Sequence, residues 1–264
     1  MVDAKGVAWN YIRTNVDPRT GTRTSTFENV FFLVGMLPAE ARAFVQPYVD
    51  DLNKLGMNIS NPEIVFYPEY SDQGFPLNAT VGGGAGNVRF GARLFPRENF
   101  EDRDSQLFKD TINAIRTFVE EGGYTFHSVD YGATEELAGY PGSDSAVPAF
   151  HRNSVMHATG FDTASYGPGV PVAQQLASHA RLDSYIQKWR DVTPDSGTYM
   201  NEADPQEPDF QKHFYGENWG RLSAIKRRVD PWDVFYANTA VGSERWRVEG
   251  TQGLPYQNGR LCRV

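Results

Sequence analysis

The sequence predicts an α+β fold in which an antiparallel or mixed sheet is backed by helices. Strand-like and helix-like patterns alternate along the 264 residues, but they lack the regular short connections of parallel βα units. A glycine cluster at residues 82–86 precedes a predicted strand instead of a helix. A phosphate-binding loop needs a helix N-terminus behind it, so this cluster favours a flexible loop.

The first third of the chain predicts two strands and a helix. Residues 26–35, "TFENVFFLVG", are rich in residues that favour strands. Apolar residues then recur at helical spacing over 37–56, with Pro47 predicting a bend and Gly56 ending the helix. The apolar run at 62–70 predicts a second strand.

The middle of the chain continues this alternation. Residues 87–96 alternate apolar and polar side chains, which predicts a strand with one core face and one polar face. A helix is predicted over 105–123, with Ser105 as the N-cap and Gly122 near its end. Later elements follow from the same patterns: strands at 124–132 and 151–158, helices at 172–190 and from Trp219 to Val229.

Composition narrows the classes of partner. The chain has 25 Lys and Arg against 33 Asp and Glu, a net charge of −8, with no basic stripe. Nucleic acids and anionic membrane surfaces would repel such a chain, and no segment is apolar enough to span a membrane. We therefore expect small molecules or proteins as partners, and neither nucleic acid nor membrane.

Cysteine usage and glycosylation sequons point to different compartments. The single cysteine, Cys262, excludes an internal disulfide and a thiolate zinc site, which suits a reducing compartment. Sequons at Asn58 and Asn78 instead favour the secretory pathway, although such triplets also occur by chance. We expect a secreted glycoprotein, with the intracellular alternative open. No pair of residues has metal-ligand spacing.

The C-terminal quarter carries the most specific pattern. It contains Tyr-x-Asn at 199–201, Tyr-Gly-x-Asn-Trp at 215–219 and Asp-Pro-x-x-Val-Phe at 230–235. This series resembles the C-terminal segment of the berberine bridge enzyme-like oxidases, in the vanillyl-alcohol oxidase superfamily of FAD-linked oxidases. The resemblance is fainter over 25–196, where "PAFHRN" has Phe150-His151 in place of the tryptophan in the family's Pro-Ala-Trp-Arg strand.

The resemblance implies a domain organisation. Residues 25–196 would form the substrate-binding domain, residues 197–264 would return to complete the FAD-binding domain, and residues 1–24 would be a junction segment. The family's flavin-attachment and pyrophosphate-binding regions lie in its N-terminal domain. We therefore expect a second polypeptide, carrying that FAD-binding domain, as the partner, with processing or fragmentation of a longer chain as the alternative. The apolar stripe from Trp219 to Val229 would pack on that partner.

The resemblance also implies site residues. Tyr199 and Asn201 would contact the flavin of FAD or its ribityl chain. Many relatives place a tyrosine base directly after that asparagine, where this sequence has Glu202. Glu202 and His157 are the candidate bases, with a solvated turn carboxylate and a hydrogen-bonded core histidine as the alternatives.

Three further residues complete the predicted site. Arg89 and Arg93 share one strand face and are candidates for binding an anionic or hydroxylated substrate, unless solvent surrounds them at a sheet edge. His127 is assigned to the substrate site with them. The function implied is that of an FAD-dependent oxidase acting on an alcohol or related C–H substrate, with O2 as the electron acceptor. A non-catalytic partner subunit and a redox-neutral cyclase are the alternatives.

Overall fold

The computed structural model of the chain describes residues 1–59, 62–69, 72, 88–139, 145–162, 166–167 and 169–264. The strands are β1 (Val7–Val16), β2 (Arg23–Phe32), β3 (Arg89–Pro96), β4 (Thr125–Asp130), β5 (Ser154–Asp162), β6 (Trp246–Val248) and β7 (Leu261–Arg263). The α-helices are α1 (Pro38–Lys54), α2 (Glu98–Glu101), α3 (Gln106–Glu120), α4 (Glu135–Ala138), α5 (Ala149–Asn153), α6 (Val172–Asp191) and α7 (Trp219–Val229).

A five-stranded sheet in the order β2-β1-β4-β5-β3 organises the fold. The pairs β1/β4, β4/β5 and β5/β3 are antiparallel, so the predicted α+β class is confirmed. Strand β1 lies within residues 1–24, so part of the segment assigned to a junction contributes to this sheet. A separate antiparallel pair joins β6 to β7 near the C-terminus.

Helices α3 and α6 cover one face of the sheet, which we call the helix face. Its core combines sheet residues such as Phe95, Phe126 and Ala158 with Phe118 of α3 and Trp189 of α6. Two glycines allow this close approach. A Cβ atom at Gly160 would lie 2.1 Å from the Phe118 ring, and one at Gly91 would lie 2.4 Å from Ile186. The missing side chains therefore let the two helices pack directly on β5 and β3.

Most predicted elements are confirmed. Helix α3 begins after Ser105, whose hydroxyl accepts a hydrogen bond from the Phe108 amide at 3.0 Å, as an N-cap does. Helix α1 continues through Pro47. Helix α7 ends with cationic residues in its last turn, where their charges interact favourably with the helix dipole.

Three expectations require correction. The strand predicted at 62–70 is absent from its described part, residues 62–69. Pro62 and Pro68 have no backbone N–H to donate to a neighbouring strand. Val65 and Phe66 are exposed, so the segment has no buried face that would favour strand pairing. The strand predicted at 151–158 begins at Ser154, because His151 lies in α5. Strand β3 is buried on both faces instead of one, because α6 covers the polar set.

The chain divides into two compact units. The first comprises Met1–Phe31 and Gly84–Val264 and contains the sheet, helices α2 to α7 and the C-terminal segment. The second, Phe32–Gly83, contains α1. The glycine cluster at 82–86 and the sequon residue Asn78 lie outside the described residues.

Candidate active site

The face of the sheet opposite α3 and α6 carries the candidate site, and we call it the open face. Because side chains alternate along a strand, the residues that flank the helix-face positions point to this side. They include His127 on β4, His157 and Thr159 on β5, and Ala92 and Leu94 on β3. The two candidate histidines therefore share one face of the sheet.

The segment that follows α6 covers one end of the open face. The Leu94 amide of edge strand β3 donates a hydrogen bond to the Gly197 carbonyl at 2.9 Å, and the Thr198 amide donates to the His213 carbonyl at 2.8 Å. Ala92 packs in a small core with Ala203, Phe214 and Tyr215 of the same segment. These contacts hold residues 199–202 against the centre of β5.

His157 is the most buried titratable group of this arrangement. It is 4% exposed, and its Nε2 atom is buried without a hydrogen-bond partner among the described residues. Its Nδ1 atom lies 3.5 Å from Glu202 Oε2, an ion-pair distance longer than an aligned hydrogen bond. The pKa of His157 is lowered to about 4. Burial is the largest cause, and the neighbouring His151 and His127 are smaller ones. The imidazole is therefore neutral at pH 7, with a lone pair on one ring nitrogen.

Tyr199 and Asn201 lie beside His157 at the edge of the site. The Tyr199 ring meets the His157 ring edge-to-face, with centroids 5.8 Å apart. The Asn201 side-chain amide donates a hydrogen bond to the Tyr199 hydroxyl oxygen at 2.7 Å. The Tyr199 hydroxyl proton and the Asn201 amide oxygen remain available for a ligand, and both residues are exposed.

His127 lies on the neighbouring strand, partly buried. Its Nδ1 atom is 3.0 Å from the Asn10 carbonyl oxygen, and its ring stacks on Tyr11 with centroids 4.2 Å apart. Burial lowers its pKa against smaller opposing effects of that hydrogen bond and of Glu202. His127 is therefore favoured in its neutral form.

Comparison with known proteins gives the family. Residues 198–242, which include the Tyr199 to Glu202 segment, match the family described as Berberine and berberine like. An FAD-linked oxidoreductase of Aspergillus clavatus, patO, is 32% identical over 251 residues, covering 92% of this chain and 40% of the relative. The chain belongs to the berberine bridge enzyme-like family of FAD-linked oxidoreductases.

Two further comparisons extend the likeness, one in sequence and one in fold. The bifunctional decalin synthase calF of Penicillium decumbens is 29% identical over 275 residues, covering all of this chain and 43% of that protein. The VAO-type flavoprotein MtVAO713 of Myceliophthora thermophila superposes with a TM-score of 0.71 at 20% identity, over 99% of this chain and 44% of that one. The fold is thus shared, and this berberine bridge enzyme-like chain spans about 40% of the length of the curated relatives it matches.

The structure turns two predicted substrate residues away from the open face. Arg93 is 1% exposed and lies on the helix face. Its guanidinium donates hydrogen bonds to the hydroxyl and the carbonyl oxygen of Thr193, in the segment after α6. Burial lowers the pKa of Arg93 to about 10. Arg89 is 4% exposed and lies over the Tyr166 ring, 4.8 Å from its centroid. The alternative that solvent surrounds these arginines is wrong, because the alternating pattern does not show which faces neighbouring helices cover. Their predicted role in substrate binding stays a prediction that this burial does not favour.

The apolar stripe of α7 also departs from expectation. Trp219 and Leu222 pack against the Ala92 cluster of this same chain, which corrects the prediction that the whole stripe contacts a partner. Ile225 is 38% exposed and Val229 is 70% exposed at the other end of the helix. Only that second half is open to another polypeptide.

Two site residues were not assigned a role from the sequence. The rings of His151 and Tyr199 lie edge-to-face, with centroids 6.2 Å apart. The pKa of His151 is lowered to about 4, mainly by burial and to a smaller extent by Arg152. Burial, followed by Glu202 and Tyr199, raises the pKa of Tyr131. The Phe150-His151 pair in "PAFHRN" was the one sequence signal for this corner of the site.

Two absences concern the part of the chain that the structure describes. It contains no group of three or more His, Cys, Asp or Glu side chains placed to hold a metal ion. Within those same residues, no helix is both long and apolar enough to cross a membrane.

Proposed function

We propose that this chain forms the substrate-binding wall of an FAD-dependent oxidase that converts an alcohol, or a related C–H substrate, into its carbonyl product. The observation that carries this proposal is the His157 imidazole on the open face, with a buried Nε2 atom that has no partner in the described structure. A buried nitrogen without a hydrogen-bond partner costs free energy and needs an explanation, and we propose that a ligand provides it.

The residues at the edge of the site suit a flavin. Tyr199 and Asn201 are exposed side by side and offer one hydroxyl donor, one amide N–H and one amide oxygen, which match the alternating polar atoms of an isoalloxazine or ribityl group. These two side chains would hold that part of FAD. When bound, FAD supplies a hydride acceptor that is reoxidised by O2.

The chemistry of this chain is then proton transfer. As the substrate C–H bond breaks with its electron pair, the hydroxyl O–H bond breaks and its proton moves to His157 Nε2, which leaves a C=O double bond. Because this nitrogen is buried in the chain alone, the side chains over it must move aside when substrate binds. A carboxylate accepts hydrogen bonds, so Glu202 favours the ring proton on Nδ1 and the lone pair on Nε2. The same carboxylate stabilises the imidazolium that forms.

Glu202 is the alternative base, and we propose an orienting role instead. Its side chain is 53% exposed, so solvent competes for it, whereas the His157 side chain is 5% exposed. His157→Gln should therefore lower the rate of flavin reduction by about 10²- to 10⁴-fold, the usual contribution of a general base. Glu202→Gln should lower it less. The opposite order would assign the base to Glu202.

We propose that a second polypeptide, or a further part of a longer chain, carries the rest of the FAD-binding domain. Support comes from the share of the relatives that this chain spans and from an apolar surface directly after α7. There Trp232 is 78% exposed, Val234 is 74% exposed and Phe235 is 81% exposed. Such a cluster of large apolar side chains is typical of an interface.

Secretion remains our proposal for the compartment. Asn58 is exposed, and its backbone adopts a left-handed conformation with φ of 54°. An exposed sequon asparagine is accessible to a glycosyltransferase. Endoglycosidase treatment of the protein from its native source should lower its mass; an unchanged mass would support an intracellular origin.

A redox-neutral cyclisation is the second candidate, because calF, one relative, is named a bifunctional decalin synthase. Visible absorption of the FAD-containing complex separates these functions. A yellow complex that bleaches with an alcohol substrate and recovers in air supports the oxidase. Product formation without bleaching supports the cyclase, and a complex that binds ligand without forming product supports a non-catalytic partner subunit.

A further inference from the structure

A row of rings crosses four strands of the open face. It consists of Tyr11 on β1, His127 on β4, Phe161 on β5 and Phe90 on β3, and we call it the aromatic row. The His127 and Phe161 centroids are 6.1 Å apart, and the Phe161 and Phe90 centroids are 5.4 Å apart. All four residues are partly exposed. Because neighbouring strands lie about 4.8 Å apart, the row extends over roughly 14 Å.

The rings present their edges to a ligand. Tyr11 and His127 are directly paired across β1 and β4, and their planes differ by 13°. Side chains stand roughly perpendicular to a sheet, so rings stacked across two strands stand upright. A ligand above the row therefore meets ring edges together with the polar atoms on those edges.

His127 provides a hydrogen-bond acceptor in this row. A carbonyl oxygen only accepts hydrogen bonds, so the contact of 3.0 Å with the Asn10 oxygen requires the proton on Nδ1. In the neutral ring, which burial favours, the other nitrogen then carries a lone pair. The described residues provide no hydrogen-bond partner for this Nε2 atom.

The spacing between His127 and His157 gives the length of a ligand that contacts both residues. His157 pairs with Val129, two residues along β4 from His127 on the same face. Such diagonal neighbours in an antiparallel sheet are about 7–8 Å apart. A six-membered ring with a substituent at each end is of similar length, so one ligand is able to reach both histidines.

We propose that His127 Nε2 accepts a hydrogen bond from a second hydroxyl group of the substrate, located about one six-membered ring away from the hydroxyl that His157 deprotonates. This inference rests on the proposed function, which gives His157 its role. It defines the substrate class as uncharged diols or polyols built on a ring.

The surrounding charges disfavour an anionic substrate. A carboxylate at this position would face the Nε2 lone pair and would have no proton to share. Arg89 and Arg93 are buried on the helix face. Arg13, at the end of the row, already contacts Glu28 at 3.0 Å and the Tyr11 ring at 4.5 Å.

Three probes that differ only at the remote group test this inference: 1,4-benzenedimethanol, 4-methylbenzyl alcohol and 4-(hydroxymethyl)benzoate. Their dissociation constants are measured by isothermal titration calorimetry on the full 264-residue chain. One neutral hydrogen bond should make the diol bind about three- to ten-fold more tightly than the methyl compound. The carboxylate should bind more weakly than the diol.

Two variants locate the effect. His127→Phe keeps a ring in the row but removes the acceptor, so the preference for the diol should fall to about one. Tyr67→Phe, a control at an exposed tyrosine of the second compact unit, also removes one polar group and should keep the preference. Equal affinities of wild-type chain for the two neutral probes, or a preference that survives His127→Phe, would overturn the inference.

A parallel measurement separates this inference from the proposed function. Bleaching of the FAD-containing complex by the same probes reports oxidation independently of affinity. Selective binding without bleaching would sustain the His127 site and contradict the oxidase. Bleaching without selective binding would contradict the His127 site alone.

Discussion

The buried Glu207 carboxylate accepts a hydrogen bond from His213 Nδ1 at 2.7 Å. The same carboxylate also receives two hydrogen bonds from Arg190 of α6, at 3.0 and 2.9 Å. This network joins the helix layer to the segment that carries the site, because the His213 carbonyl accepts the Thr198 amide directly before Tyr199. Glu207 therefore links α6 to the Tyr199 to Glu202 segment.

We predict that Glu207→Gln strongly destabilises the fold. Its side chain is fully buried, and the substitution leaves the Arg190 charge without its buried counterion, which typically costs about 3–5 kcal/mol. Asp183, which is partly exposed, still pairs with Arg190 in this variant. We therefore expect a loss at the lower end of that range. Urea denaturation measures the change in the free energy of unfolding.

The exposed pair Arg116–Glu120 provides the control for that prediction. Its atoms are 2.8 Å apart, as close as the buried contacts, but both side chains are at least half exposed. Glu120→Gln should therefore change the free energy of unfolding by about 0–1 kcal/mol. Similar losses in the two variants would show that the Glu207 network does not behave as a buried one.

A glycine on each of two elements gives a second stability prediction. Gly160→Ala places a methyl group against the Phe118 ring and should destabilise the fold by about 1–3 kcal/mol through overpacking. Gly220, in α7, has no neighbouring atom within 4 Å of an added Cβ. Gly220→Ala should therefore stabilise the fold by about 0.5–1 kcal/mol. Thermal denaturation should give melting-temperature shifts of opposite sign, and shifts of the same sign would contradict this packing.

His157 predicts a pH dependence of stability. Its pKa in the folded chain is about 4, against an ordinary value of 6.5. Between these values the unfolded chain binds a proton that the folded chain does not, so stability falls as the pH is lowered. The slope should approach roughly 1.4 kcal/mol per pH unit for this group. Denaturation curves of wild type and His157→Gln between pH 7 and about pH 4 measure it.

The outcome for the variant is specific. His157→Gln should lose less stability than wild type over this pH range, although His151, whose pKa is also lowered to about 4, keeps part of the dependence. Parallel curves for the two proteins would mean that His157 binds its proton at the same pH in the folded and unfolded chains, so that burial does not lower its pKa.

The sequence names candidate site residues but does not show how they are arranged. His157 and Glu202 were separate candidates on their own patterns, but their contact depends on the segment after α6 folding back over β5. Arg93 shows the converse. The alternating pattern placed Arg93 on the correct strand face. It could not show that α6 and Thr193 cover that face, because these contacts join residues far apart in the sequence. Local periodicity predicts strands and faces, whereas tertiary packing decides which face binds a ligand.

The apolar surface after α7 predicts the effect of two substitutions on assembly. Trp232→Ser and Phe235→Ser remove large exposed side chains that make little contact within this chain. They should leave the melting temperature of the isolated chain nearly unchanged and weaken its association with an FAD-binding polypeptide by at least ten-fold, as loss of central aromatic anchors does. Analytical ultracentrifugation or co-purification measures the association. Unchanged association would place the interface elsewhere.

Asn201 predicts a mild change in flavin binding that does not involve the stability of the fold. Asn201→Ala removes the donor to the Tyr199 hydroxyl and, under the proposed function, one set of amide contacts with the flavin. Because one such contact contributes on the order of 1 kcal/mol, flavin affinity should fall about five-fold while the melting temperature of the chain stays close to that of wild type. Tyr199→Phe is the matched variant, since it removes the hydroxyl and leaves Asn201 in place. Flavin fluorescence during titration of the FAD-free complex measures both affinities. Wild-type flavin affinity in both variants would exclude the Tyr199–Asn201 pair from the cofactor site.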